Sequence, residues 1–141
     1  LRLAGPNTGA WRRAAGEPGL RLLGEVAEEA LPGLYAGAVA CLYPSCYEGF
    51  GLPVLEAMQC GALVVAARDP AIAEIASGAA LLLDPHDPRA WRETLCRVAA
   101  GGGQFGGLRA LALERARGFS WSRTARLTRE VYAEALAAFG G

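Results

Sequence analysis

The sequence contains no lysine: all 14 basic residues are arginine, 14 acidic residues balance them, and the formal net charge is zero. With no basic cluster, the chain lacks the electrostatic footprint of a nucleic-acid binder. Arginine excess beside many alanines and glycines reads as codon bias, and no function is drawn from it. There is one histidine, His86, and the four cysteines (Cys41, Cys46, Cys60, Cys96) include no C-x-x-C pair, so neither a metal site nor a disulfide framework is expected. Three of the cysteines fall in strand or helix segments, where a small buried thiol is the ordinary reading, and a reducing cytoplasm is the natural compartment. No apolar run approaches the roughly 20 residues of a membrane span, and no charged-then-apolar leader opens the chain. A soluble chain is expected, with peripheral membrane contact left open.

The 141 residues suit one domain, and a hydrophobic content of 52% is enough for a buried core. Leu1 to Gly5 reads as a strand entering a turn. Pro6 to Gly19, rich in Gly and Pro, reads as a loop with at most a short helix. Leu20 to Leu23 is a second strand, Glu28 to Ala38 a helix with Pro32 and Gly33 in its first turns, and Ala40 to Tyr43 a third strand. Leu63 to Ala67 is an unbroken apolar strand of the kind a covered parallel sheet uses. A loop over Arg68 to Ala71, a short helix over Ile72 to Ala76 and a strand over Ala79 to Leu83 follow. From Pro88 the pattern is helical only: Pro88 to Ala99, Leu108 to Arg117, and Ser122 to Phe139 capped by Ser120 or Ser122. Strands alternating with helices predict an α/β fold, a Rossmann-like doubly wound parallel sheet with C-terminal helices, whose ligands bind beyond the carboxyl ends of the strands.

One such end carries the chemistry. Pro44 to Gly61 reads PSCYEGFGLPVLEAMQCG, in which Gly49-Phe50-Gly51 separates Glu48 from a helix opening at Pro53 and carrying Glu56. The first N–H groups of a helix lack internal partners and bear partial positive charge, so they attract phosphate. Gly49 and Gly51 let the backbone approach a ligand and take dihedrals other residues resist. The two carboxylates accept hydrogen bonds from hydroxyls. A nucleotide sugar has both the diphosphate and the hydroxyls. Against this stands the plain alternative that an acidic residue near a helix N-terminus is stabilising in itself, by about 0.3–1 kcal/mol.

The same run, with seven residues between its glutamates, resembles the signature of the retaining group 1 glycosyltransferases, whose two-domain fold is called GT-B. LRLLGEV and ALPGLYAGA upstream, and VVAARDPAIAEIASGAALLLDPHDP and GFSWSRTARLTREVY downstream, are similar to the rest of that pattern, so the resemblance covers about Leu20 to Tyr132. It implies that residues 1–141 are the donor-binding C-terminal half of a GT-B enzyme, truncated at its N-terminal side. Glu56 then hydrogen-bonds the nucleotide ribose and Glu48 lies beside the transferred sugar. The amides of Gly49, Phe50, Gly51 and Leu52 meet sugar hydroxyls or phosphate, with Tyr47 and Phe50 as wall residues. Gly24, Glu25 and Val26 match the turn that meets the base, although by pattern alone they are an ordinary strand-to-helix turn.

The implied reaction is transfer of a hexosyl group from a nucleotide diphosphate sugar to an acceptor hydroxyl with retention of configuration, without metal or other cofactor. The acceptor is a glycan, a lipid or a small molecule. In the family an arginine and a lysine from elements preceding Leu1, and an N-terminal acceptor domain, complete the site; the isolated chain is therefore expected to be inactive. The family usually has proline where Leu63 stands. A non-catalytic nucleotide or nucleotide-sugar binding module, and a GT-B relative such as a nucleotide-sugar epimerase, remain as alternatives. Glu74 reads as a solvated helix residue, His86 as a surface turn residue, and Trp91 and Trp121 as core.

Overall fold

The computed structural model describes residues 2–5, 16–101 and 103–139. Strands β1 (Arg2–Ala4) and β2 (Arg21–Gly24) pair in parallel, and β3 (Cys41–Tyr43), β4 (Val64–Ala67) and β5 (Leu81–Leu83) form a second parallel ladder in that order. In register, Tyr43 stands opposite Ala66, and Ala66 opposite Leu82. The helices are α1 (Leu31–Ala36), α2 (Leu52–Gln59), α3 (Pro70–Ala76), α4 (Pro88–Ala99), α5 (Gly106–Ala116) and α6 (Trp121–Phe139). Of the loop expected over Pro6 to Gly19, residues 6–15 lie outside the described residues and residues 16–19 are turn and coil.

β4 is the centre of the packing, with all four residues buried. Because successive side chains of a strand point to opposite faces, Val64 and Ala66 join one cluster with Val54, Ala57 and Met58 of α2, Ile72 and Ile75 of α3, and Ala112 and Ala116 of α5. Leu63 and Val65 join a second cluster with Val98 and Trp91 of α4, together with Phe105 and Leu108. Both faces of the three-stranded ladder are therefore covered, the doubly wound arrangement predicted from its alternating elements. Cys41 and Tyr43 of β3 fall on the α2 side and Leu42 on the α4 side. That parity is what later brings Tyr43 to the site. Leu63, where proline was expected, is buried at the approach to β4, and its carbonyl accepts from Cys41 N at 2.7 Å.

Several boundaries differ from the sequence expectation. The helix expected over Glu28 to Ala38 is a 3-10 turn at Glu28–Ala30 followed by α1 at Leu31–Ala36, with Pro32 in its first turn, because a proline is accommodated only in a first helical turn. α3 begins at Pro70, inside the expected loop, since the buried Asp69 caps it by accepting from Ala71 N at 2.9 Å and Ile72 N at 3.3 Å. β5 starts only at Leu81, after a turn closed by Ala79 N to Ala76 O. α5 starts at Gly106, and α6 starts at Trp121, with Ser120 Oγ accepting from Arg123 N at 3.2 Å. Trp121 is 77% exposed and no residue of α6 is buried, so Trp121 is not core as expected, whereas Trp91 packs on the sheet and donates Nε1–H to Asp84 O. Cys41 and Cys60 are half-buried and Cys46 and Cys96 exposed, so none of the four free thiols is the fully buried filler expected of three of them.

Candidate functional site

The loop from Pro44 to Gly51 leaves the carboxyl end of β3 and turns directly into α2. Gly51 is the residue before the helix and adopts φ 93° and ψ 45°, left-handed backbone that a β-carbon resists. An added Cβ there would also lie 3.4 Å from Ile72 Cγ1 and 3.8 Å from Ile75 Cδ1. Gly49 differs: its φ is not positive and an added Cβ would meet nothing within 4 Å. Of the two glycines, conformation and packing require only Gly51.

No side chain caps the start of α2, and Val54 N and Leu55 N turn back onto Gly51 O at 3.0 and 3.3 Å. Among the described residues, the N–H groups of Gly49, Phe50, Gly51 and Leu52 meet no protein acceptor. Four successive unpaired donors at a helix N-terminus attract an anion. Glu48 and Glu56, both half-buried, flank them from the loop and the helix. Tyr43 Oη donates to Glu48 Oε1 at 2.6 Å, and Tyr35 Oη donates to Glu56 Oε2 at 3.1 Å.

The environments of these tyrosines connect the two carboxylates. Burial, followed by the charge of Glu56 and its hydrogen bond, pushes the Tyr35 hydroxyl above the usual tyrosine range. Burial, followed by the Glu48 hydrogen bond and charge, does the same for Tyr43, which also feels the charge of Glu56. The Cys41 thiol is pushed up to about 11 by burial and by Glu56, and the Cys60 thiol is raised for the same two reasons. Tyr35, Cys41 and Tyr43 are thus neutral groups gathered around the two glutamates. Neither tyrosine was singled out by sequence reasoning. The strand parity of Tyr43 was a usable signal for one of them.

Phe50 packs edge-on to Phe119 with ring centroids 6.2 Å apart, and the Arg115 guanidinium lies 5.0 Å from the centre of the Phe119 ring. Arg115 also donates to Ile75 O and Glu74 O at the end of α3, at 2.9 and 3.0 Å, which fixes the helix beneath Gly51. A second arginine of α5, Arg109, donates to Gly61 O at 3.0 Å and Val39 O at 2.7 Å, tying together the ends of the β3–α2 unit. No sequence motif marks either arginine. Tyr47 is 87% exposed.

Gly24 ends β2 at φ 69°, its carbonyl accepting from Gly5 N, and Glu25 and Val26 follow it in the turn. No hydrogen bond joins this turn to the glutamates among the described residues. Glu74 is exposed on α3, and His86 is exposed in a turn held by its N–H to Asp84 Oδ1. Two hollows of the surface, about 960 and 670 Å³, run along α4 and are lined by neither Glu48 nor Glu56.

Comparison with known proteins bears on the family and the fold. The family model described as glycosyl transferases group 1 matches residues 1–100. The chain is 38% identical over 120 residues to the O-antigen chain mannosyltransferase B of Escherichia coli, covering 85% of this chain and 32% of that protein. It is 43% identical over 114 residues to a D-inositol 3-phosphate glycosyltransferase of Salinispora arenicola, covering 78% of this chain and 25% of that protein. Among solved structures, the sucrose-phosphate synthase of Thermosynechococcus elongatus superposes with a TM-score of 0.83 at 28% identity, over 98% of this chain and 39% of that one. The chain thus spans about a third or less of the length of these two curated relatives.

Proposed function

The chain belongs to the group 1 glycosyltransferases of the GT-B type, and from that membership we propose that it is the donor-binding domain of a retaining enzyme using a nucleotide diphosphate sugar. The observation that carries this reading is the pair Glu48 and Glu56 set on either side of four unpaired backbone N–H groups. In the proposed complex the N–H groups of Gly49, Phe50, Gly51 and Leu52 face the diphosphate and neighbouring hydroxyls. Glu56 accepts from the ribose and Glu48 from the transferred sugar. Gly24, Glu25 and Val26 form the wall beside the base.

The protein's contribution to chemistry is then electrostatic. Donors already aimed at the diphosphate stabilise the negative charge that grows as the glycosidic bond breaks, at no cost of reorganisation in the transition state. No step in this scheme calls for a metal. The chain spans only part of its relatives, and the acceptor site and further cationic groups are assigned in this proposal to polypeptide outside these 141 residues. Donor transfer to a glycan, lipid or small-molecule hydroxyl in the cytoplasm is the corresponding activity; no helix of the described residues is long and apolar enough to cross a membrane.

Calorimetric titration with UDP, GDP and ADP tests the donor site. Replacing Glu56 by Ala removes a charged acceptor, which costs about 1.5–3 kcal/mol, or roughly 10- to 150-fold in affinity. Equal affinities for Glu56→Ala and its parent would remove Glu56 from the site. Retention is tested on the chain joined to an acceptor domain, by the anomeric coupling of the product in proton NMR: an α-linked donor yields an α-linked product.

A further inference from the structure

Among the described residues, each glutamate of the site receives one hydrogen bond, on one oxygen. Tyr43 takes Glu48 Oε1 and Tyr35 takes Glu56 Oε2. Among the described residues the remaining oxygens, Glu48 Oε2 and Glu56 Oε1, have no protein donor. A carboxylate held by one oxygen has its plane restricted and its other oxygen directed, which is what recognition of a hydroxyl at a fixed angle requires. We propose that Tyr43 and Tyr35 are positioning residues that aim the free oxygens of Glu48 and Glu56 at the hydroxyls of the nucleotide sugar. The inference rests on the donor-site reading above.

The two tyrosines reach the site by different routes. Tyr43 is the last residue of β3, five residues before Glu48, and its strand is paired along its length with the buried β4. Glu48 is therefore aimed by the rigid part of the fold. Tyr35 lies 21 residues before Glu56, on α1, a six-residue helix with no buried residue that packs against α2. Glu56 is therefore aimed by a short element outside the glycine turn, so the geometry of the nucleotide side depends on where α1 sits. Burial and the adjoining carboxylates keep both phenols protonated well past neutral pH, so each remains a donor throughout the working range.

The test is a double-mutant cycle on the full chain, because a tyrosine that only supports the fold would act independently of its glutamate. Nucleotide affinity is measured by calorimetry with UDP, GDP and ADP for the parent, Tyr35→Phe, Glu56→Gln and the double variant. Each protein is titrated at a temperature where its thermal melt shows it fully folded. Tyr35→Phe keeps the ring and removes the donor; it should weaken the tightest diphosphate about 3- to 10-fold in the parent, and less than about twofold once Glu56 is Gln. The same factor in both backgrounds overturns the role of Tyr35. Tyr43→Phe supplies the second arm: it should weaken UDP-glucose, GDP-mannose or ADP-glucose more than the matching diphosphate, and an unchanged ratio overturns its role. If the parent binds none of these probes, the donor-site reading fails and the positioning roles fail with it. If Glu56→Gln weakens binding while Tyr35→Phe does not, only the positioning role of Tyr35 fails.

Discussion

Gly51 and Gly49 sit two residues apart in one turn and should respond differently to substitution. Gly51→Val places a branched side chain at φ 93° against Ile72, and the strain should cost about 1–3 kcal/mol of stability as well as donor binding. Denaturant melts and nucleotide titration check both. Gly49→Ala meets no neighbour within 4 Å and should melt within about 0.5 kcal/mol of the parent. If a ligand approaches the Gly49 amide, that variant nevertheless loses affinity; full affinity with an intact fold would place the ligand elsewhere. The titrating groups give a further expectation. The Cys41 thiol rises from 9.0 to about 11 on folding, so the folded state favours its protonated form. Its stabilising contribution is complete below about pH 9 and is lost as pH rises through 11. Tyr35 and Tyr43 are raised as well and act with the same sign from about pH 10 upward. Stability measured in urea should decline across this alkaline window, and Cys41→Ala should flatten its lower part. A flat profile in the parent would contradict the burial of all three.

At the scale of elements, Asp69 and α6 are the informative contrasts. Asp69 is buried and accepts two N–H groups of α3; Asp69→Ala should lower stability by about 1–2 kcal/mol. Deleting residues 122–139 removes a helix with no buried residue and should change the urea midpoint little. A large loss would reveal packing by α6 that its exposure does not show. The sequence made some of this architecture readable. β4 announced itself as four consecutive apolar residues, α4 by Pro88 and its amphipathic spacing, and the turn before α2 by its glycines. The Asp69–Pro70 start of α3 is an N-cap followed by proline, a signal present in the sequence that the expected loop over Arg68 to Ala71 did not use. Other features had no local signal. Arg115 and Arg109 bond backbone carbonyls 40 to 70 residues away, and carbonyls look alike in every sequence. Tyr35 meets Glu56 only after α1 has packed on α2. The glutamates were legible because their spacing lies within one turn and one helix, whereas their aiming residues depend on tertiary placement.

For the whole molecule, the proposed division of labour predicts binding without turnover. The 141-residue chain should bind a nucleotide diphosphate and transfer no sugar, because closure of a cleft between two domains positions the acceptor and excludes water, and positioning of this kind supplies several kcal/mol of barrier reduction. A transfer assay on an acceptor panel, repeated with the longer protein, checks this; multiple turnovers by the short chain would overturn it. The family match ends at residue 100, but the core does not, since α5 contributes the buried Ala112 and Ala116. α5 also carries the Arg109 tether to Gly61 and Val39, spans of 48 and 70 residues. During synthesis at about 5–20 residues per second, the segment bearing both glutamates is complete roughly 2–10 seconds before the arginine that ties its ends. A nascent chain halted before residue 109 would hold the complete donor signature without its clamp, and maturation of the site would be timed by the ribosome's arrival at α5.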